Sequence, residues 1–257
     1  MDLQLTDRVI FVAGASRGIG LGIAEACLRE GAKVALIART PEPLAETARD
    51  LAQRYGQHRV WSCAGDMRST TDVEALLSAC EEKLGPIFGA VANVGLHPCP
   101  PGFEIDDDTW SQGFDQNLGS SFRVARGALS RMTPRKEGAI VLISSIAGLR
   151  AMGTPLTYGT AKAAVNHLAG ELARIAGRNN IRVNALAPGN IIFPGGDWEQ
   201  RMNGPRREAW DRWVRREAPL QRFGTPEEIG AVVTFLMSPL ASFVTGAMIA
   251  ADGGQSA

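Results

Sequence analysis

Few residues in this 257-residue sequence could build a metal site or a disulfide framework. Four cysteines and three histidines are scattered along the chain, and no two cysteines form a CxxC pair. This spacing is typical of reduced thiols in a cytoplasmic protein, and it predicts neither disulfides nor a bound metal. The residues concerned are Cys27, Cys63, Cys80, Cys99, His58, His97 and His167.

Net charge and long apolar runs are also lacking. Lys plus Arg and Asp plus Glu number 27 each, and the pI is about 6.8. No global field therefore attracts nucleic acid or an anionic membrane. No apolar run approaches the length of a membrane span, and the acidic second residue is unlike the basic start of a signal peptide. We expect a small-molecule partner, without nucleic-acid or membrane binding.

The apolar residues that are present alternate between strand-like and helix-like patterns. Predicted strands cover residues 9–13, 34–38, 60–63, 87–92, 139–144, 181–186 and 247–250. This order predicts an α/β fold with a doubly wound, Rossmann-like parallel sheet of about seven strands and helices on both faces. Capping signals predict helix starts at Thr225, with Pro226 and Glu228, and at Thr71, with Glu74. We predict one domain over residues 1–257, with a substrate lid or insertion at about 190–222.

A glycine-rich turn joins the first predicted strand to the first predicted helix. Its GxxxGxG spacing permits a tight turn and a close backbone approach to a pyrophosphate at the helix N-terminus. An ordinary glycine-rich turn is the alternative, but the position between strand and helix favours phosphate binding. The predicted phosphate-binding residues are Gly14, Ser16, Arg17, Gly18, Ile19 and Gly20.

The end of the second predicted strand indicates which nicotinamide cofactor binds. Where a carboxylate would bind the adenosine 2′-hydroxyl, the chain has Ala38 followed by Arg39, and Arg17 supplies a second cation. Guanidinium groups would bind a 2′-phosphate that a carboxylate would repel. We therefore predict NADP(H) over NAD(H), with solvated surface arginines as the alternative.

Chemistry also favours a proton-transfer role for one of the two tyrosines. Tyr158 and Lys162 stand at i and i+4, so they share a helix face if this segment is helical. A nearby ammonium stabilises a phenolate and brings its pKa closer to neutrality. Such a pair could supply the proton that hydride transfer to a carbonyl requires. The alternative is a pair on a solvated helix face.

Several motifs appear in an order that resembles the classical short-chain dehydrogenase/reductase family, particularly its 3-oxoacyl carrier-protein reductases. The motifs are the glycine turn, Asp66, the segment Ala92-Asn93-Val94-Gly95, Asn117, Ser145, Tyr158 with Lys162, and Pro188-Gly189. The resemblance covers nearly the whole chain. The sequence departs from it at Ala13, Ala92 and Val94, and at Phe193, where many relatives have Thr near the nicotinamide carboxamide.

The resemblance implies a catalytic tetrad of Asn117, Ser145, Tyr158 and Lys162. Ser145 precedes Tyr158 by thirteen positions, as in relatives, and is expected to hydrogen-bond the substrate oxygen. The adjacent Ser144 is the alternative. Lys162 is expected to bind the nicotinamide ribose, and Asn117 to hold a relay water, although a structural amide is the alternative for Asn117.

Further cofactor contacts follow from the same resemblance. Adenine contacts are expected from Asp66 and Met67, floor contacts from Asn93 and Gly95, and nicotinamide contacts from Pro188, Gly189 and Ile191. Tyr158 and Lys162 also contact the cofactor in this scheme.

The function that the resemblance implies is NADP(H)-dependent hydride transfer on a carbonyl/secondary alcohol substrate, with a 3-oxoacyl thioester as one candidate, by a homotetramer. The alternative is a non-catalytic NADP(H)-binding sensor or scaffold, which an intact tetrad disfavours. In the lid, Trp210 and Trp213 share a helical face that either packs against the body or closes on an apolar substrate. Nearby arginines either attract an anionic carrier or form a solvated face.

Overall fold

Seven parallel strands form one sheet at the centre of the molecule. The computed structural model describes residues 2–95, 99–100 and 102–257. The strand order is β3-β2-β1-β4-β5-β6-β7, so the chain reverses its winding direction between β1 and β4. The strands are β1 (Val9–Ala13), β2 (Lys33–Ala38), β3 (Val60–Ala64), β4 (Ile87–Ala92), β5 (Gly138–Ile143), β6 (Ile181–Pro188) and β7 (Met248–Ala251). The doubly wound fold predicted from the sequence is confirmed.

Helices cover both faces of this sheet, which is why its central strands are apolar on both sides. The helices are α1 (Gly18–Arg29), α2 (Pro41–Tyr55), α3 (Thr70–Leu84), α4 (Asp107–Phe114), α5 (Ser120–Met132), α6 (Leu156–Ala176), α7 (Asp197–Met202), α8 (Arg207–Glu217) and α9 (Pro226–Met237). Residues of α1, α2 and α9 form the core on one face, and residues of α3, α5 and α6 form the core on the other. Every residue of β1, β4, β5 and β6 is buried.

Two predicted helix starts have different outcomes. At α9 the predicted capping box is present, with Thr225 and Glu228 bonded reciprocally to the backbone. At α3 the predicted Thr71 cap is wrong, because Ser69 is the N-cap and accepts from the Asp72 N–H. Asp72 also accepts from the N–H of Asp66, so this cap fixes the turn that follows β3.

Residues of the predicted lid form α7 and α8. Trp198, Trp210, Trp213 and Phe223 cluster there, with ring centroids 5.1 to 6.0 Å apart. The guanidinium of Arg201 lies over two of these rings, at 4.9 and 5.0 Å from their centroids. The tryptophans thus contact one another, which gives the segment a small aromatic core of its own.

Residues 2–95, 99–100 and 102–257 contain neither a candidate membrane-spanning helix nor a candidate metal-binding cluster. No helix in those ranges combines the length and the apolar character needed to cross a bilayer. The same residues include no group of three His, Cys, Asp or Glu side chains placed to hold a metal ion. His97, one of the three histidines, lies outside the described residues.

Candidate active site

A cleft of about 620 Å³ opens at the carboxyl edge of the sheet, around the reversal between β1 and β4. This is the edge at which doubly wound folds bind their ligands, because the loops that follow the strands converge there. Most of the residues predicted from the sequence meet in its lining. They are Gly14, Ser16, Arg17, Ile19, Arg39, Asp66, Met67, Asn93, Gly95, Ser145, Tyr158, Lys162, Pro188 and Gly189.

The glycine turn forms one wall, and its backbone geometry admits only glycine at key positions. Gly14 has φ +75°, and a Cβ placed there would lie 2.0 Å from the backbone oxygen of Asn93. A Cβ on Gly20 would lie 2.0 Å from the oxygen of Gly14. The Asn93 side chain donates to that same oxygen at 2.9 Å and fixes the turn against the loop after β4. The N-terminus of α1 thereby lies beside the cleft, where its free N–H groups can bind an anion.

The start of the predicted lid is attached to this turn at two points. Arg17 donates from Nη1 to the backbone oxygen of Gly195 at 3.0 Å. The ring of Phe193 lies against Gly18, where an added Cβ would be 2.7 Å from the ring. Phe193, the residue that departs from the family pattern, therefore lines the cleft directly over the glycine turn.

Four predicted residues lie outside this lining. Gly18 and Gly20 begin α1 behind the turn, and Asn117 is buried beneath the cleft. Ile191 forms a bridge with Gly224 and lines a separate cavity of about 200 Å³. The predicted nicotinamide contact of Ile191 is thus not evident from the cleft geometry.

Where the loop after β2 borders the cleft, Arg39 and Gln116 approach each other across it. Arg39 follows β2 and donates from Nη1 to Oε1 of Gln116 at 3.5 Å. Gln116 is 2% exposed and lies in a π-helical turn, Asp115–Gly119. It was not identified from the sequence, because an amide beside the tetrad asparagine carries no sequence signal for a contact 77 positions away. Asp66, also in this lining, is bound by the Arg68 guanidinium, which lowers the pKa of the carboxyl.

Tyr158 and the two candidate serines lie near the middle of the cleft. Burial raises the pKa of Tyr158, and a side-chain hydrogen bond with Ser145 offsets part of that rise. The hydroxyl of Ser144 donates instead to the backbone oxygen of Lys162 at 3.0 Å. β5 ends at Ile143, so both serines lie just beyond the strand. Of the two hydroxyls, that of Ser145 is the one that hydrogen-bonds Tyr158.

Lys162 is buried beneath Tyr158, with 3% of its surface exposed. Its ammonium donates to the backbone oxygens of Val94 at 3.0 Å and Ile143 at 2.9 Å, and burial lowers the pKa of Lys162 to about 8. Nζ lies 5.8 Å from the centroid of the Tyr158 ring. The sequence-based expectation that this ammonium lowers the tyrosine pKa does not describe this geometry, in which burial dominates and the pKa of Tyr158 is raised.

Asn117 presents an acceptor close to Lys162. Its Nδ2 donates to the backbone oxygen of Gly113 at 2.9 Å, whereas Oδ1 is buried without a hydrogen-bond partner in the described part of the chain. A Cβ on Gly95 would lie 3.1 Å from that Oδ1 and 3.2 Å from the Lys162 ammonium. A side chain at position 95 would therefore crowd both polar groups.

Comparison with known proteins gives matches over essentially the whole chain. A family model described as enoyl-(acyl carrier protein) reductase matches residues 14–256. The chain is 34% identical over 263 aligned positions to 2-(S)-hydroxypropyl-CoM dehydrogenase 3 of Xanthobacter autotrophicus, covering all of both chains. It is 33% identical over 256 positions to a 3-oxoacyl-[acyl-carrier-protein] reductase of Chlamydia muridarum, again covering both completely. L-Sorbose reductase from Gluconobacter frateurii, solved with NADPH and L-sorbose, superposes with a TM-score of 0.92 at 32% identity, covering 100% of this chain and 99% of that one.

Proposed function

Because this chain belongs to the short-chain dehydrogenase/reductase family of oxidoreductases, we propose that it transfers a hydride between NADP(H) and a carbonyl/secondary alcohol substrate. One observation carries the proposal: Ser145, Tyr158 and Lys162 line the same cleft as the glycine turn. A proton donor, a hydroxyl donor and an anion-binding helix N-terminus are thereby brought within one cavity.

The lining fits a nicotinamide dinucleotide. Gly14 and Gly20 leave no room for side chains, so backbone N–H groups at the start of α1 are available for a pyrophosphate. Arg39 and Arg17 are the cations assigned to the 2′-phosphate, which is the basis for preferring NADP(H). The relative solved with NADPH supports this preference. When bound, the nicotinamide supplies or accepts the hydride.

The side chains then provide the proton chemistry. With its raised pKa, Tyr158 is protonated at neutral pH and can donate to a carbonyl oxygen on which negative charge develops. Ser145 donates a hydrogen bond to the same oxygen. Asn117 Oδ1 is a buried acceptor without a partner in the described part of the chain, and both it and the Lys162 ammonium approach Gly95. We assign these two groups to a water-mediated proton relay that leads to the tyrosine.

Substrate choice is assigned to the lid, residues about 190–222. A 3-oxoacyl thioester is one candidate, supported by the carrier-protein reductase among the relatives. Recognition of an anionic carrier by the α8 arginines is disfavoured, because Arg212, Arg215 and Arg216 pair with neighbouring acids. A homotetramer in the cytoplasm completes the proposal and rests on the resemblance.

The test follows reduced-nicotinamide absorbance with NADPH and NADH over a panel of 3-oxoacyl thioesters, keto sugars and other ketones. We expect NADPH-selective turnover that falls by about 10²–10⁴-fold in Tyr158→Phe. Tyr55→Phe is the matched control, because Tyr55 is the only other tyrosine and bonds Glu25 and Arg29 away from the cleft. Turnover that survives in Tyr158→Phe would contradict the proposed acid. NADPH binding without turnover of any substrate would favour the sensor or scaffold.

A further inference from the structure

The contact between Gln116 and Arg39 has a consequence for cofactor choice. Arg39 is exposed and forms no ion pair with the part of the chain that the structure describes. Its one side-chain hydrogen bond there goes to the neutral amide oxygen of Gln116. At 3.5 Å this contact is long, so it orients the guanidinium while leaving most of its five donors available to a ligand.

The carboxylates nearest to this contact are already neutralised. Asp66 is bound by Arg68, with distances of 2.9 Å to Nε and 2.6 Å to Nη2. Asp115, adjacent to Gln116, is paired with Arg123 at 2.7 Å. Each acid forms its ion pair with another arginine, and Asp66 attracts Arg39 only as a further electrostatic contribution. Three arginines thus face two carboxylates. The adenosine end of the cleft therefore retains an uncompensated positive charge.

We propose that Gln116 is a positioning residue that holds Arg39 across the cleft for a 2′-phosphate, and that its neutrality makes the cofactor preference possible. A carboxylate at position 116 would hold Arg39 more strongly, but it would cancel the charge and repel a phosphate dianion. An apolar side chain would release Arg39, and binding would then have to order a long flexible side chain. This inference rests on the proposed NADP(H) function and names the residue that sets its selectivity.

The experiment compares two ligands that differ only in the phosphate concerned. Isothermal titration calorimetry measures the dissociation constants of 2′,5′-ADP and 5′-AMP for the wild type, Gln116→Glu, Gln116→Leu and the control Gln53→Glu. Gln53 is exposed on α2 outside the cleft lining, so this control adds the same charge elsewhere. We expect Gln116→Glu to reduce the preference for 2′,5′-ADP by about tenfold or more and Gln116→Leu by about threefold, with Gln53→Glu unchanged.

Binding of 5′-AMP and the thermal unfolding temperature show whether each variant is folded. An unchanged affinity for 5′-AMP with a reduced preference separates positioning of Arg39 from general damage to the cleft. A preference in Gln116→Glu equal to that of the wild type would overturn the inference. A wild type without any preference for 2′,5′-ADP would overturn the NADP(H) assignment as well, whereas the hydride-transfer reaction is tested separately by Tyr158→Phe.

Discussion

Replacing Lys162 by Met should change how the stability of the protein depends on pH. Below about pH 8, Lys162 is protonated in both the folded and the unfolded chain, so the unfavourable free energy of burying an ammonium lowers the stability in full. Between the folded pKa of about 8 and the ordinary value of 10.5, the folded protein has released the proton while the unfolded chain keeps it. The unfolding free energy contributed by this group therefore rises with pH across that window.

The size of the effect follows from the two pKa values. One unit of pKa difference corresponds to about 1.4 kcal/mol, and integration from pH 7 to pH 9.5 gives a gain of about 2 kcal/mol. Met has a similar volume and no titratable group, so the variant lacks this gain. At neutral pH the variant also loses the two hydrogen bonds to Val94 and Ile143. The difference between the two pH values isolates the titration from those lost contacts.

The assay is urea unfolding at pH 7 and pH 9.5, at one protein concentration, with Tyr158→Phe as the background in both proteins. That background removes the phenol above Lys162, whose pKa is raised by burial, so that Lys162 is the only titrating group of the pair. Relative to the Lys162→Met protein, the Lys162 protein should gain about 2 kcal/mol on going to the higher pH. A relative change below about 0.5 kcal/mol, or a loss, would show that the ammonium is not held in a buried site with a lowered pKa.

Two further predictions concern the scaffold and the assembly. Arg182→Met should lower the free energy of unfolding by about 3 kcal/mol in urea. Arg182 is buried and donates to the backbone oxygens of Leu236, Met237 and Ser238 at the end of α9. Arg182→Lys should recover part of this loss, and a loss below about 1 kcal/mol in the Met variant would contradict the reasoning. Sedimentation equilibrium should give four times the 27.4 kDa chain mass, because apolar side chains such as Phe122 are exposed on α5 and would be buried between subunits. A monomeric mass would refute the tetramer.

The doubly wound fold could be predicted because its signals are local and mutually consistent. Strands buried on both faces produce short continuous apolar runs, and these fall within one or two residues of the observed strands. The α3 start was misplaced because Ser69, Thr70 and Thr71 are all possible caps. In the structure Ser69 is the cap that accepts from the Asp72 N–H, and the Asp72 carboxylate also accepts from the Asp66 N–H in the turn after β3.

The site could be predicted only where residue type and spacing are specific. The glycine turn and the Tyr158–Lys162 spacing place residues in the cleft lining as expected. Arg17 and Gly195 are 178 positions apart, and Arg39 and Gln116 are 77 apart. Contacts over such separations depend on how the loops after different strands converge, and neither the composition nor the periodicity of the chain records this.

Sequence spacing indicates where the tetrad residues lie, but it does not indicate their pKa shifts. The i, i+4 spacing correctly puts Lys162 under Tyr158, but spacing does not show what else the ammonium bonds. Two backbone carbonyls bind it, and burial raises the pKa of Tyr158 and lowers the pKa of Lys162 at the same time. Both shifts favour the neutral forms, so Tyr158 is protonated in this arrangement and is suited to reducing a carbonyl. Alcohol oxidation requires removal of that proton and therefore additional stabilisation of the phenolate. Lys162 does not supply it in this arrangement, because its ammonium donates to two backbone carbonyls.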